Sequence, residues 1–228
     1  NVISLQKWYS NGILHREEDE PAEISYYEDK TIESEKWYRN GVLHREEDEP
    51  AVQYYWKDGS SKINRWYRDG KLYREGDEPA EEYYWSDGET IDCKRWYSPS
   101  DGLLKFEAYY YSNGKDKCEK NYLGGVLHSE NDLPAETYYK KPYRTVYNWK
   151  GTESEMWHDE DSIISEKWYR NGVLHREGDQ PPEIYYKDDK KTLEKWWFEG
   201  KFYREGDKPQ EIEYYGFYDY VGNTHNLE

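Results

Sequence analysis

Apolar and polar residues alternate along most of the chain, and turn-forming residues break the alternation at regular intervals. The segment EKWYRNGVLHREEDEP at 35–50 shows this pattern and returns almost unchanged at 166–181 as EKWYRNGVLHREGDQP. Aromatic and β-branched residues flank the NG dipeptide, which favours a tight β-turn. No segment has the 3.6-residue apolar period of a helix. The pattern therefore predicts short β-strands joined by turns.

The same phrase recurs at a nearly constant interval, which indicates a repeat array. A core tryptophan marks six of the copies: Trp8, Trp37, Trp66, Trp96, Trp168 and Trp196. A further, degenerate copy has Asn121 where tryptophan is expected. We expect about seven β-hairpin repeats over residues 1–215, with an irregular, shortened copy at 96–120, an insertion at 140–161 and a C-terminal cap or tail at 216–228.

Most copies carry a D-x-P element between their two turns, as at Asp48–Pro50. Proline cannot donate to a central strand, so this element predicts a bend or bulge. An odd number of strands would invert every second copy, which favours two strands per copy: a short one entering the NG turn and a long one kinked at D-x-P. The predicted fold is all-β, an elongated antiparallel array of β-hairpins forming an open sheet.

Charge pairing across the NG turn predicts its register. A two-residue loop would set Lys36 against Arg45, a like-charge pair that destabilises a hairpin. A three-residue loop with Gly41 in the left-handed conformation sets Glu35 against Arg45 instead. We therefore expect the three-residue loop, in which each tryptophan faces the leucine of its own hairpin.

Composition adds an aromatic core and a strong acidic charge to this picture. The chain has 11 Trp and 27 Tyr, and its net charge is −17. Each buried aromatic ring removes roughly 150–250 Å² from water, so these rings can replace an aliphatic core. The negative charge disfavours nucleic acid and membranes as partners, and no apolar run is long enough for a transmembrane helix. The chain has no secretory apolar segment and starts at Asn1, which indicates a processed product or a fragment.

The WYxNG hairpins, repeated in about seven copies with glycine-anchored turns, resemble a divergent form of the MORN repeat (membrane occupation and recognition nexus). The longer phrase WYRNGVLHRE-x-D-x-P-A is similar to repeats in proteins of giant DNA viruses and some bacteria. The resemblance covers most of residues 1–215, with a longer period and fewer glycines than ordinary MORN repeats. It implies an elongated antiparallel sheet that scaffolds or docks other proteins, without a catalytic residue. It also implies an intracellular (cytoplasmic) or virion location.

Candidate chemistry is sparse along the chain. Histidines such as His44 share their repeat position with tyrosines, and equivalent sites in adjacent copies lie about 9–10 Å apart, too far to share one zinc ion. The D-x-P aspartates are of a type that suits Ca²⁺, but acceptance from N–H groups of the same bend explains them as well. Among 49 acidic residues no carboxylate pair stands out, and no catalytic motif is present. We expect no enzyme activity, no catalytic residue, no cofactor and no metal.

Departures from the repeat are the expected sites of recognition, because regular copies supply mainly shape. The insertion at 140–161 supplies the candidate partner-binding residues Tyr143, Tyr147, Trp149, Trp157 and His158. The predicted function is a non-enzymatic structural or protein-docking scaffold, a candidate viral particle component, with a protein partner and with self-association left open. Two alternatives remain: an aromatic cage for carbohydrate or choline, and an acidic decoy that binds basic proteins.

The two cysteines test the register of the array. Cys93 and Cys118 each lie three residues before the core position of their copy. Equivalent sites in consecutive copies are separated by one strand, about 9–10 Å, whereas a disulfide needs about 4.4–6.8 Å between Cα atoms. The sequence therefore predicts two free thiols, which fits a reducing compartment.

Overall fold

The computed structural model describes residues 3–149, 152–158 and 162–214; the predicted cap or tail at 216–228 lies outside them. Over these residues every helix or strand element is a strand, which confirms the all-β prediction. In chain order the strands are β1 (Leu5–Lys7), β2 (Tyr9–Ser10), β3 (Ile13–Leu14), β4 (Glu23–Tyr26), β5 (Ile32–Lys36), β6 (Tyr38–Arg39), β7 (Val42–Leu43), β8 (Val52–Tyr55), β9 (Ser61–Arg65), β10 (Tyr67–Arg68), β11 (Lys71–Leu72), β12 (Glu81–Tyr84), β13 (Ile91–Tyr97), β14 (Leu104–Tyr110), β15 (Asp116–Leu123), β16 (Val126–Leu127), β17 (Glu136–Tyr139), β18 (Tyr143–Trp149), β19 (Thr152–His158), β20 (Ile163–Lys167), β21 (Tyr169–Arg170), β22 (Val173–Leu174), β23 (Glu183–Lys187), β24 (Lys190–Lys195), β25 (Trp197–Phe198), β26 (Lys201–Phe202) and β27 (Glu211–Glu213).

One long antiparallel sheet runs through the molecule, and its order is β1-β4-β5-β8-β9-β12-β13-β14-β15-β17-β20-β23-β24-β27. Strand β16 pairs with β15, and the remaining strands form separate two-stranded hairpins. Each regular copy contributes two strands to the sheet, as the parity argument predicted. At about 4.8 Å per strand the sheet spans roughly 62 Å. Within the described residues the two edge strands, β1 and β27, each pair with a single neighbouring strand, so the sheet is open.

The NG turn is a two-residue loop, so the predicted three-residue loop is wrong. Asn40 and Gly41 are both left-handed, with φ of 50° and 81°. This is the type I′ geometry, whose twist matches that of the paired strands. Tyr38 pairs with Leu43, and Trp37 therefore does not face the leucine of its hairpin.

The like-charge pair that argued against this register does not form. The hairpin ends at His44, whose backbone N–H donates to the carbonyl of Trp37 (3.2 Å). Lys36 then pairs with Val52 of the main sheet and not with Arg45. The prediction failed because it extended the hairpin pairing beyond the point where the chain leaves the hairpin.

A six-residue loop, here called the bend, connects each regular hairpin to the main sheet. The bends are residues 16–21, 45–50, 74–79, 129–134, 176–181 and 204–209. In the second copy the bend begins after His44 and ends just before Ala51. At Ala51 the chain rejoins the long sheet, where the Trp37 N–H donates to the Ala51 carbonyl (2.9 Å). Glu47 and Asp48 are left-handed, with φ of 58° and 56°. The predicted bend at D-x-P is present, but it is a loop between β7 and β8, so the predicted long strand running through it is wrong.

The shortened copy at 96–120 has no bend. Its strands β13 and β14 pair from Cys93 opposite Tyr109 to Tyr97 opposite Leu104, and a plain turn joins them. This copy therefore adds two strands to the sheet but no loop above it.

The apolar core lies on one face of the sheet, here called the tryptophan face. Its buried members include Trp37, Trp66, Trp168 and Trp196, together with Ala22, Ala51, Ala80 and Ala135. The other two predicted core tryptophans, Trp8 and Trp96, are half-buried. Small residues beside large rings let the bends lie close to the sheet, so a thin core is enough to cover this face.

The cysteines confirm the predicted register. Cys93 pairs with Tyr109, which pairs in turn with Cys118, and both thiols are free and buried. Burial raises the pKa of Cys93 to about 12 and that of Cys118 to about 11.

Alkylation of the native protein at neutral pH should therefore be slow, because the reactive thiolate is scarce. Unfolding without reductant should expose two alkylatable cysteines per chain, which mass spectrometry counts. A bridge between Cys93 and Cys118 in the unreduced protein would contradict the register.

Candidate docking surfaces

The bend of each regular copy holds the tryptophan of the next copy. Trp37 Nε1–H donates to the backbone carbonyl of Asp19 (2.9 Å). The Arg45 guanidinium lies 3.9 Å from the Trp37 ring centroid, and its Nε and Nη2 donate to the Asp19 carboxylate (3.0 and 2.7 Å). A cation over an aromatic face and a two-point guanidinium–carboxylate contact are both favourable. We call this set of contacts between neighbouring copies a latch.

Three more latches have the same composition: Asp48 with Trp66 and Arg74, Asp132 with Trp168 and Arg176, and Asp179 with Trp196 and Arg204. In the described residues these carboxylates accept from the next copy's arginine, so the predicted role within their own bend is wrong. The hydrogen bond from Arg176 also holds the pKa of the Asp132 carboxyl below its ordinary value.

Two of the repeat histidines, His44 and His128, support the same connection between copies. His44 is buried, and its Nε2 lies 3.0 Å from Glu46 Oε1. Its Nδ1 accepts from the backbone N–H of Asp69 in the next hairpin (3.2 Å). Over the described ranges, no three His, Cys, Asp or Glu side chains are grouped so as to hold a metal ion.

The opposite face carries one row of charged residues that crosses the whole sheet. The register aligns, strand by strand, Lys7, Glu23, Lys36, Val52, Arg65, Glu81, Arg95, Glu107, Lys120, Glu136, Lys167, Glu183, Lys195 and Glu211. The sign of the charge alternates at every step except around Val52. Opposite charges directly across a strand pair stabilise a sheet. We call this row the charge ladder.

Five of the six ladder carboxylates are buried between their cations, and only Glu211 on the edge strand is exposed. The Glu81 side chain is only 5% exposed; its Oε2 lies 3.6 Å from Arg95 Nη1 and accepts from the Tyr97 hydroxyl (2.6 Å). A buried carboxylate without such partners would be strongly destabilising. The ladder therefore binds the strands to each other from the face opposite the core tryptophans.

Glu23 shows how the ladder responds to acid. Burial alone would raise the pKa of the Glu23 carboxyl, but hydrogen bonds and charges from Lys36 and Lys7 outweigh it and hold the pKa below its ordinary value. The folded state therefore binds this proton less readily than the unfolded state. The stabilisation is present above the ordinary pKa of glutamate and is lost as the pH falls through the lowered pKa.

A groove interrupts the tryptophan face where the shortened copy lacks its bend. Its volume is about 430 Å³, and Trp96, Phe106 and Asn121 lie along it. Asp77 and Leu133, which belong to the bends on its two sides, also line it. The groove therefore occupies the place that a bend fills in a regular copy.

The insertion at 140–161 forms a hairpin that is separate from the main sheet. Strand β18 pairs with β19 from Tyr143 opposite His158 to Trp149 opposite Thr152. Among the described strands, neither pairs with a strand of the long sheet. The insertion is thus an additional two-stranded element, here called the projecting hairpin.

The projecting hairpin leaves the register of the sheet unchanged. The Lys140 N–H donates to the carbonyl of Ser162 (2.8 Å), and the equivalent bond from Trp56 to Ser60 closes the ordinary turn of the second copy (2.9 Å). The insertion therefore takes the place of a three-residue turn.

Four of the five candidate partner-binding residues share one face of this hairpin by register: Tyr143, Tyr147, Trp149 and His158. Trp157 falls on the other face, opposite Arg144. Tyr143 is 48% exposed; the other four side chains lie outside the described ones. The backbone therefore brings most of the predicted residues together at one surface.

The sequence analysis missed the latch arginines and the charge ladder, although both leave a signal. An arginine stands eight residues after each tryptophan in the regular copies, as Arg45 follows Trp37. Leu104 and Ser129 occupy this position in the two copies beside the missing bend. A basic residue precedes every core tryptophan, and a glutamate usually follows the D-x-P element by two residues. These spacings could have indicated paired rows.

No protein-family model matches the chain, and no curated protein matches it. The resemblance to MORN-type repeats therefore stays a prediction. In the part of the chain that the structure describes, no helix combines the length and apolar character needed to cross a bilayer.

Proposed function

We propose that the protein is a structural scaffold that docks other proteins. Latches join four of the six pairs of consecutive copies, at the strand ends nearest the bends. Tyrosine hydrogen bonds join copies at the opposite strand ends. There the Tyr27 hydroxyl donates to the Tyr55 carbonyl (2.8 Å), and the Tyr111 hydroxyl donates to the Tyr139 carbonyl (3.0 Å). A sheet held along both sides keeps its surface groups at fixed spacings, which is how repeat arrays present extended binding surfaces.

The projecting hairpin is the single observation that carries the docking proposal. It is joined to the array at an unaltered turn position, so the sheet does not need it for its own pairing. It places several aromatic residues on one face, and aromatic rings are enriched at the centres of protein interfaces. We therefore assign partner recognition to residues 143–158.

Replacing residues 141–161 by the turn sequence Lys-Asp-Gly of residues 57–59 should leave the fold intact and abolish partner binding. The fold should survive because the bond between Lys140 and Ser162 closes the same turn as in the second copy. Circular dichroism and chemical denaturation test the fold, and quantitative mass spectrometry of co-purifying proteins tests binding.

The matched control for this replacement exchanges the turn residues 57–59 for Glu-Asp-Lys, the sequence of the same turn at residues 28–30, and keeps the hairpin. We expect that control to retain every partner. Loss of folding together with retained partners in the replaced chain would make the hairpin a structural plug and would contradict the proposal.

The two alternative functions fit the geometry less well. An aromatic cage needs open ring faces, but arginine covers the ring of Trp37, Trp66, Trp168 and Trp196 at 3.7 to 4.0 Å from the centroid. A decoy for basic proteins needs a continuous acidic surface, but across the ladder face the glutamates alternate with lysine or arginine. The narrower role in a viral particle rests on the resemblance alone, and proteomics of purified particles would test it.

A further inference from the structure

Each of the four latches is a site that binds an arginine guanidinium between a tryptophan ring and an aspartate carboxylate. In each of them an arginine lies 3.7 to 4.0 Å from a tryptophan centroid. The same arginine donates to the aspartate carboxylate of the preceding copy. The arginine always comes from a bend, so a copy without a bend lacks this group.

A fifth set of the same groups exists without its arginine, at Trp96 and Asp77. Trp96 Nε1–H donates to the Asp77 carbonyl (3.1 Å), as in the complete latches. The position that supplies arginine elsewhere is Leu104. The Trp96 ring is half-buried and contacts Phe106, with the ring centroids 5.1 Å apart. The Asp77 side chain is 92% exposed and lies 3.7 Å from Lys105 Nζ.

The groove above these groups has room for one more bend. Consecutive regular bends lie two strands apart, about 10 Å. The bends at 74–79 and 129–134 lie four strands apart, about 19 Å, because β13 and β14 intervene without a loop. Leu133 on the far wall is 66% exposed, so the groove offers an apolar contact as well as a carboxylate.

We infer that this groove binds an arginine carried on a loop of a partner protein, which takes the place of the missing bend. The guanidinium would stack on Trp96 and donate to Asp77, as Arg45 does at Trp37 and Asp19. Arginine fits better than lysine because its planar group stacks and bonds a carboxylate at two points. The inference rests on the proposed docking function, but the site is separate from the projecting hairpin.

A labelled peptide with the sequence VLHREGDQPP, which is this chain's own bend at residues 173–182, tests the inference by fluorescence anisotropy on the full chain. We expect saturable binding of one peptide per chain at micromolar to millimolar concentration. Citrulline in place of the peptide arginine should weaken binding at least about tenfold, because the positive charge is lost and a carbonyl oxygen replaces one NH2 group. Asp77→Asn should weaken it by a similar factor, and Lys105→Gln should strengthen it by removing a competing cation.

The matched control is Glu47→Gln, which removes an exposed carboxylate from a complete bend and should leave peptide binding unchanged. Asp77→Asn keeps the backbone carbonyl that Trp96 uses, so folding should be unaffected, and circular dichroism checks this. Binding that survives both citrulline and Asp77→Asn would overturn the inference, as would a lack of saturable binding at millimolar peptide. If the protein self-associates and Asp77→Asn abolishes this self-association, the groove binds a second copy of the chain. That result would overturn the inference that it binds a different partner protein.

The chain in which residues 141–161 are replaced keeps the groove and should bind the peptide normally. Failure of the hairpin to dock a partner and failure of the groove to bind arginine are therefore distinguishable. If that chain binds the peptide normally and still co-purifies with the same proteins, the groove and not the projecting hairpin is the docking site.

Discussion

Replacing Trp37 by alanine should lower the free energy of unfolding by about 3–5 kcal/mol, the usual range for a buried tryptophan. The side chain is 7% exposed, so a cavity would remain under the bend. The change also removes the Nε1 bond to Asp19 and the surface on which Arg45 stacks. Chemical denaturation followed by circular dichroism measures the loss.

Trp96→Ala is the matched control for that prediction. Trp96 makes the same Nε1 bond, to Asp77, but it is half-buried and carries no arginine. We expect a loss of about 1–2 kcal/mol, typical of a partly exposed site. Equal losses for the two variants would mean that the latch contributes nothing beyond the single hydrogen bond.

Replacing Glu81 by glutamine should lower the free energy of unfolding by about 2–3 kcal/mol. Removing one partner of a fully buried ion pair costs about 3–5 kcal/mol. The two cations beside Glu81, Arg65 and Arg95, are 27% and 30% exposed, so water relieves part of the loss. Glutamine keeps the shape of the side chain and removes its charge, and equilibrium denaturation at constant pH isolates that difference.

The gap in the ladder at Val52 supplies the control for Glu81. Val52 is 3% exposed and lies between Lys36 and Arg65. A carboxylate at so buried a position is normally destabilising by several kcal/mol. Because two cations flank it, we expect Val52→Glu to change the free energy of unfolding by no more than about 1 kcal/mol.

Ile184→Glu introduces the same carboxylate in the opposite surroundings. Ile184 is also 3% exposed, but Glu166 and Glu194 lie opposite it on the neighbouring strands. The new carboxylate would face two like charges, so this variant should unfold or lose several kcal/mol. Similar losses at positions 52 and 184 would show that the ladder pairing does not stabilise the sheet.

The sequence was sufficient to predict the fold class and the number of strands that each regular copy adds to the long sheet. These features depend on local signals: the NG turn, the alternation of apolar residues and the recurrence of tryptophan. The free thiols of Cys93 and Cys118 followed from the same repeat spacing. Local chemistry repeated at a constant period determines such features, so no distant contact needs to be known.

The register of the NG hairpin depends on where the chain leaves it, and the role of the D-x-P aspartates depends on contacts between copies; both predictions were wrong. Asp19 binds Arg45, 26 residues further along. The bend crosses from its own copy to the next, so pairing counted along one hairpin could not show this contact. The projecting hairpin was located from the break in the period, but its backbone pairing required the structure.

Hydrogen exchange resolved by copy in the Trp37→Ala variant tests the central claim, that neighbouring copies are joined by latches into a linear array. The account predicts faster exchange in the strands joined at Trp37, from β1 to β9, and unchanged exchange in the strands beyond the shortened copy, from β17 to β24. A uniform rise along the whole described chain would contradict the account, because it would show one closed cooperative core.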